Sequence, residues 1–182
     1  MIQCINSFSQ LDIKPRTLVV LDIDETILKF PSIKKGWWTE TFNRYYEIYL
    51  DYNKAEEKAL HDWENLVIKD KAQLLDSDYF ESFINKINDS NSELILLTAR
   101  NDKLKELTKK HLIDCDINIP SHRIYHDRNK GKKLLDLVTN IYTNTSQIIF
   151  VDDLESNVIN VHETFSGTLH NINIYLIDHE KN

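Results

Sequence analysis

Short apolar runs alternate with helical stripes along most of this chain. Continuous aliphatic runs at 18–21, 94–97 and 148–151, with a weaker run at 123–125, predict buried strands. Residues 172–177 alternate and predict an edge strand. Between the strands, apolar residues at helical spacing predict four amphipathic helices. This order predicts an α/β fold with a parallel central sheet flanked by helices.

One segment breaks the alternation. Residues 36–75 contain no strand-like run, and their aromatic and aliphatic residues follow helical spacing. We interpret this segment as a small helical cap inserted into a Rossmann-like core formed by residues 1–35 and 76–182. An ordinary two-helix crossover packed on the sheet is the alternative. Trp37 and Trp38, at the entry to the segment, either line a substrate pocket or fill a small core of the cap itself.

The composition excludes several classes of protein. The chain has only three glycines, and none of their spacings fits a dinucleotide fingerprint or a P-loop. A phosphate-binding site here therefore cannot be a glycine-rich cradle. The net charge of −7 argues against a broad nucleic-acid-binding face.

The N-terminal residues and the cysteines bear on the cellular location of the protein. Residues 1–14 carry polar residues throughout and have no apolar core segment, and no run in the chain approaches the roughly 20 apolar residues of a membrane span. Cys4 and Cys115 are too few and too far apart for a disulfide framework or a CxxC site. We expect a cytoplasmic protein with no membrane partner. The oligomeric state is left open.

Two acid pairs carry the strongest chemical signal. Asp22 and Asp24 follow the first buried strand, and Asp152 and Asp153 follow the strand at 148–151. Ligands of open α/β sheets bind beyond the carboxyl ends of the strands, so the two pairs are expected to meet there. Clustered carboxylates repel one another unless a cation lies between them, and oxygen ligands of this kind suit Mg²⁺.

Two further segments add donors and positive charge to the same edge. Thr98, Ala99 and Arg100 follow the strand at 94–97, and Lys130 opens a predicted helix. Arg100 either reaches the substrate or forms a surface salt bridge. A lysine at a helix N-terminus can direct its ammonium along the edge, where anions are favoured. Asn157 is expected to cap the helix that follows the second acid pair.

Together these segments resemble the haloacid dehalogenase-like (HAD) phosphohydrolases. The four motifs of that superfamily occur here in the same chain order and strand context over about residues 17–160. They are Asp22-Ile23-Asp24-Glu25-Thr26, Leu97-Thr98-Ala99-Arg100, Lys130-Gly131 and Val151-Asp152-Asp153. Parts of the sequence look similar to a small-cap HAD family of unassigned function. The first motif is also similar to phosphatases of the RNA polymerase C-terminal tail and to secreted acid phosphatases.

The resemblance implies roles for individual residues. Asp22 would be the nucleophile that forms an aspartyl-phosphate, and Asp24 the general acid and base. Thr98 and Lys130 would hold the phosphoryl oxygens, with Ala99 and Arg100 also at the substrate. Mg²⁺ would be bound by the Asp22 carboxylate, the Asp24 backbone carbonyl and Asp153, with Asp152 supporting the site.

These implications lead to one functional hypothesis. The chain is expected to be a Mg²⁺-dependent phosphatase that hydrolyses a phosphomonoester, such as a small metabolite, a nucleotide or a sugar phosphate. The alternatives are a phosphoprotein phosphatase similar to the polymerase-tail enzymes and a non-catalytic phosphate-binding scaffold. Dehalogenation is not expected, because dehalogenases lack the acid that stands here at Asp24.

Overall fold

The computed structural model describes residues 1–180, which form two β-sheets and six α-helices. The strands are β1 Ile2–Ile5, β2 Thr17–Leu21, β3 Leu28–Lys29, β4 Gln73–Leu74, β5 Glu93–Thr98, β6 Ile124–His126, β7 Gln147–Asp152 and β8 Ile172–Ile177. The helices are α1 Trp37–Tyr49, α2 Tyr52–Val67, α3 Ser77–Asp89, α4 Lys105–Asp114, α5 Lys130–Asn140 and α6 Glu155–Phe165.

Six strands form one parallel sheet in the order β1-β8-β7-β2-β5-β6. The central strands β2 and β7 are buried along their whole length, as their continuous apolar sequences predict. The predicted α/β fold with a parallel sheet flanked by helices is confirmed.

The prediction that residues 172–177 form an edge strand is wrong. In the structure β8 lies between β7 and β1, and β1 takes the edge position. Strand β1 was not predicted, because Gln3 interrupts its apolar residues and they form no continuous run. Edge or interior position depends on which distant segment pairs next, and local alternation does not report that pairing.

Helices cover both faces of the sheet, and successive residues of β2 point into different halves of the core. Val19 and Leu21 belong to one hydrophobic cluster, whereas Leu18 and Val20 belong to the other. The first cluster includes residues of α2, α3 and α4, and the second includes residues of α5 and α6. Both faces of the central strands are therefore shielded from water, and only their ends are open to a ligand.

The segment interpreted as an insertion contains α1 and α2 and returns through β4, which pairs antiparallel with β3. The two helices bury very different amounts of side chain. In α2, Leu60, Trp63 and Val67 join the same hydrophobic cluster as β2, whereas Thr41 is the one buried residue of α1. The division into core and insertion stays an interpretation, but the two share a hydrophobic core through α2.

Among residues 1–180, no helix has both the length and the apolar character needed to cross a membrane.

Candidate active site

The carboxyl ends of three neighbouring strands bring together the side chains that the sequence singled out. In the sheet, β2 lies between β7 and β5, with Leu21 paired to Val151 on one side and to Leu96 on the other. The Asp22 backbone N–H donates to the Val151 carbonyl at 3.0 Å, which extends the pairing by one residue. Asp22, Thr98 and Asp152 therefore lie side by side at one edge of the sheet.

Three carboxylates form a tight cluster at this edge. Asp22, Asp152 and Asp153 each offer an oxygen within 4.8 Å of the others. Burial raises the pKa of Asp22 to about 7, in spite of the opposing charge of Lys130. Burial, and then the charge of Asp152, also raise the pKa of Asp153 well above its usual range. A buried acid cluster of this kind requires compensating positive charge.

Lys130 supplies part of that charge. Its ammonium donates to Asp22 and, at 2.6 Å, to Asp152, and its side chain is 1% exposed. Burial alone would lower the pKa of Lys130, but the carboxylates of Asp152 and Asp22 outweigh that effect and raise the pKa above its usual range. Lys130 is the first residue of α5, where the Asn129 side chain accepts a hydrogen bond from the Lys132 backbone N–H as the N-cap.

Asp152 is saturated by protein donors, whereas Asp153 is not. The two oxygens of Asp152 accept from Lys130, from the Leu154 backbone N–H and from the Asn157 side-chain amide. Within residues 1–180, no donor hydrogen-bonds the Asp153 carboxylate. The expected capping role of Asn157 is wrong: Leu154 occupies the N-cap of α6, and Asn157 in the first turn turns its amide to Asp152.

A second buried cation, Arg100, holds Asp24. The Arg100 guanidinium donates to both oxygens of the Asp24 carboxylate, from Nε at 2.9 Å and from Nη2 at 2.6 Å. The Arg100 side chain is 1% exposed, so the surface salt bridge considered from the sequence is wrong and the pair is interior. Its backbone N–H donates to the Thr98 hydroxyl at 3.2 Å, which fixes Thr98 at the end of β5.

A small cavity of about 140 Å³ opens above these side chains. Its floor includes Asp22, Asp24 and Lys130, and Ala99 and Arg100 are also in its lining. Its walls are largely apolar and come from the insertion and the segment before it: Ile33, Trp37, Trp38, Leu60 and Trp63. Trp37 and Trp38 therefore face the candidate site, and they also pack against the main hydrophobic cluster.

Comparison with known proteins places the chain in a family. The model of the family described as "Protein of unknown function (DUF2608)" matches residues 3–126 and 124–182. The chain belongs to the DUF2608 family. No curated protein matches it.

Two solved structures resemble this DUF2608 protein, and both are of the class C acid phosphatase from Bacillus anthracis. The first has 15% identity and a TM-score of 0.51, and it covers 92% of this chain and 69% of the phosphatase. The second, with tungstate bound, has the same identity and coverage and a TM-score of 0.47. The first match supports the predicted Rossmann-like α/β fold for the DUF2608 protein.

The structure of the DUF2608 protein brings all the predicted site residues to one edge of the sheet, and it adds others. Trp63, His111 and Asn157 contact this region, although the sequence analysis gave them no chemical role. Trp63 and His111 stand at helical spacing with apolar residues, and no local signal separates them from ordinary core positions. Their contacts depend on packing between distant elements.

Proposed function

We propose that this protein is a Mg²⁺-dependent phosphomonoesterase that works through an aspartyl-phosphate. The observation that carries the proposal is the placement of Asp22. Its carboxylate lies at the floor of the cavity, contacts the Lys130 ammonium, and has Asp152 and Asp153 beside it and Asp24 two residues along the chain. A nucleophile, an acid–base group and positive charge therefore face one small space.

The proposed reaction has two balanced steps. In the first, an Asp22 carboxylate oxygen attacks the phosphorus, the bond from phosphorus to the ester oxygen breaks, and Asp24 donates a proton to the departing oxygen. In the second, Asp24 takes a proton from water while that water displaces the phosphoryl group from Asp22. The products are an alcohol and inorganic phosphate, and both carboxylates return to their starting states.

Lys130 and Thr98 would stabilise the transferred phosphoryl group. An ammonium has three N–H donors, and Lys130 directs two contacts to carboxylates, so one donor is available to a phosphoryl oxygen. The Thr98 hydroxyl accepts one hydrogen bond, from the Arg100 backbone, so its own hydrogen could be donated to a phosphoryl oxygen that reaches the end of β5. Positioning and charge stabilisation of this kind account for most of phosphoryl-transfer catalysis.

The acid cluster fits a hard divalent cation. Asp22 and Asp153 offer close carboxylate oxygens, and Asp153 has no protein donor among the described residues. Asp152 is better suited to orient the site, because its oxygens already accept from Lys130, Leu154 and Asn157. When bound, Mg²⁺ would neutralise charge on the phosphoryl oxygens.

The cavity walls bear on the substrate. Three indoles and two aliphatic side chains surround the space above Asp22, which holds about 140 Å³. A flat or apolar group next to the phosphate would pack against these walls. We therefore expect aryl phosphates to be good substrates. The cytoplasmic location expected from the sequence stays a prediction.

The test is hydrolysis of 4-nitrophenyl phosphate with and without Mg²⁺. We expect EDTA to abolish turnover and Asp22→Asn to reduce it by about 10³-fold or more, because a covalent step is lost. Asp24→Asn should also impair it. Asp136→Asn, an exposed change of the same type on α5, is the matched control and should have wild-type activity. Equal turnover in the wild type and Asp22→Asn would contradict the proposal.

A further inference from the structure

The acid–base candidate Asp24 does not stand free at the edge of the sheet. Both of its carboxylate oxygens accept hydrogen bonds from the same guanidinium, at 2.9 Å from Arg100 Nε and 2.6 Å from Arg100 Nη2. A two-point contact between planar groups fixes the rotation of the carboxylate as well as its position. The Asp24 side chain is still 21% exposed, so its outer side remains open to the cavity.

Arg100 is itself held from behind by α4. Its Nη1 group donates to the Thr108 hydroxyl at 3.2 Å and lies 3.3 Å from Nδ1 of His111. Burial, and then the charge of Arg100, lower the pKa of His111 to about 4. The imidazole is therefore neutral near pH 7, and its Nδ1 can accept the hydrogen bond from Arg100.

Two aromatic rings complete the support of Arg100. The guanidinium carbon lies 5.6 Å from the centre of the Phe30 ring and 5.4 Å from that of Trp63. These distances are typical of cation–π contacts, which are strongest where water is excluded. Trp63 belongs to α2, so the helical insertion takes part in holding this arginine. A lysine at this position would lack both the two parallel N–H donors and the planar group that packs against the rings.

We propose that Arg100 is a positioning residue for Asp24, fixing the carboxylate so that its open side is directed to the oxygen that leaves phosphorus. The inference rests on the proposed function. Arg100 occupies the inner side of Asp24 and needs no contact with the substrate. Proton transfer to a leaving group is sensitive to displacements of about 1 Å, so a carboxylate free to rotate would transfer its proton less well.

Leaving groups of different basicity separate this role from a structural one. 4-Nitrophenolate departs without a proton, whereas an alkoxide such as that of benzyl phosphate needs one. In Arg100→Lys, which keeps the charge and loses the fork, we expect kcat/KM for benzyl phosphate to fall on the order of 10- to 100-fold. The fall for 4-nitrophenyl phosphate should be several-fold smaller. We compare kcat/KM because this quantity depends on the steps up to and including the first chemical step, in which Asp24 donates its proton.

Arg128→Met is the matched control. Arg128 is half-exposed, pairs with Glu56 of α2 at 3.2 Å, and should give the wild-type ratio between the two substrates. An equal loss on both substrates in Arg100→Lys, or no loss on either, would overturn the inference while leaving the phosphatase proposal standing. A wild-type protein without phosphatase activity would overturn both.

Thr108→Val keeps the inference testable if Arg100→Lys does not fold. This change removes one support of Arg100 and leaves Asp24 and the guanidinium in place. A smaller fall in kcat/KM, again larger for benzyl phosphate than for 4-nitrophenyl phosphate, would support the inference. An unchanged ratio between the two substrates would overturn it.

Discussion

Lys130 and Arg100 are both buried cations that contact an aspartate of the candidate site, but their side chains and their surroundings differ. Lys130 is a point charge on a flexible chain at the start of α5, and it bridges Asp22 and Asp152. Arg100 is a planar group at the end of β5, clamped by contacts to Asp24, Thr108 and His111 and by two rings. In the proposed reaction, Lys130 would follow the charge that develops on the phosphoryl group, whereas Arg100 would hold the Asp24 carboxylate in place.

The comparison also explains why the site needs further positive charge. When all four are ionised, the carboxylates of Asp22, Asp24, Asp152 and Asp153 carry two more negative charges than Lys130 and Arg100 neutralise. Arg100 is fully occupied by Asp24 and its supports. The additional positive charge is therefore needed near Lys130, around Asp153, where we propose that Mg²⁺ binds.

The largest expected effect comes from removing the mobile cation. Lys130→Met should lower turnover of 4-nitrophenyl phosphate by about 100-fold or more, because the developing phosphoryl charge loses a donor. In metal-free buffer the free energy of unfolding should fall by about 3–5 kcal/mol, since Asp22 and Asp152 are left buried without their cation. Kinetics and denaturant unfolding measure the two effects.

Lys132→Met is the control for that prediction. Lys132 lies on the exposed side of the same helix and should tolerate the change in both measurements. If Lys130→Met were as stable and as active as Lys132→Met, the contrast between the two cations would be lost.

A smaller effect should come from displacing Lys130 without removing it. A Cβ at Gly131 would lie 2.3 Å from Thr164 Oγ1 and 2.7 Å from the Asn160 carbonyl oxygen. Gly131→Ala should therefore push α5 away from α6 and destabilise the protein by about 2–3 kcal/mol. It should lower turnover because Lys130 is displaced. The ratio of kcat/KM for benzyl phosphate to kcat/KM for 4-nitrophenyl phosphate, which reports on Arg100, should stay at the wild-type value.

Gly167→Ala is the comparison variant for Gly131→Ala. A Cβ at Gly167 meets no atom within 4 Å, but the backbone φ of +83° is unfavourable for alanine. We expect a loss of about 1 kcal/mol in unfolding free energy and no change in kinetics. Should the two variants behave alike, close packing of α5 on α6 would not be what places Lys130.

The smallest effect concerns the pH dependence of stability on the Arg100 side. The pKa of His111 in the folded protein is about 4, below its ordinary value of 6.5. Between pH 4 and pH 6.5, His111 therefore binds more protons in the unfolded chain than in the folded one. The contribution of His111 is thus fully present above pH 6.5 and is lost as the pH falls through 4. His111→Asn, which keeps an acceptor but cannot titrate, should reduce the loss of stability between pH 6.5 and 4.5 by about 1–2 kcal/mol.

Denaturant unfolding at several pH values measures this difference. His162→Asn, an exposed histidine in the last turn of α6, serves as the control and should keep the wild-type slope. A slope in His111→Asn equal to that of the wild type would mean that His111 is not held neutral behind Arg100.

The sequence predicted the parts of the fold that depend on local pattern. Strands β2, β5 and β7 are continuous apolar runs, and the acids and the threonine follow directly in the chain, so their meeting at one edge could be predicted. The start of α5 at Lys130 was also predictable. The strand β1 and the interior place of β8 were missed, because a weakly apolar edge strand and its pairing leave little local signal.

The sequence by itself determined which chemical groups gather at the edge of the sheet, since strand ends fix the positions of the residues that follow them. Only the tertiary structure decided which charge neutralises which. Arg100 reaches Asp24 across 76 positions of sequence, and Lys130 reaches Asp22 across 108. Such pairs form when helices pack on a sheet and exclude water. Hydrophobic periodicity records which face of an element is buried, but not the partner that its charged side chain meets there.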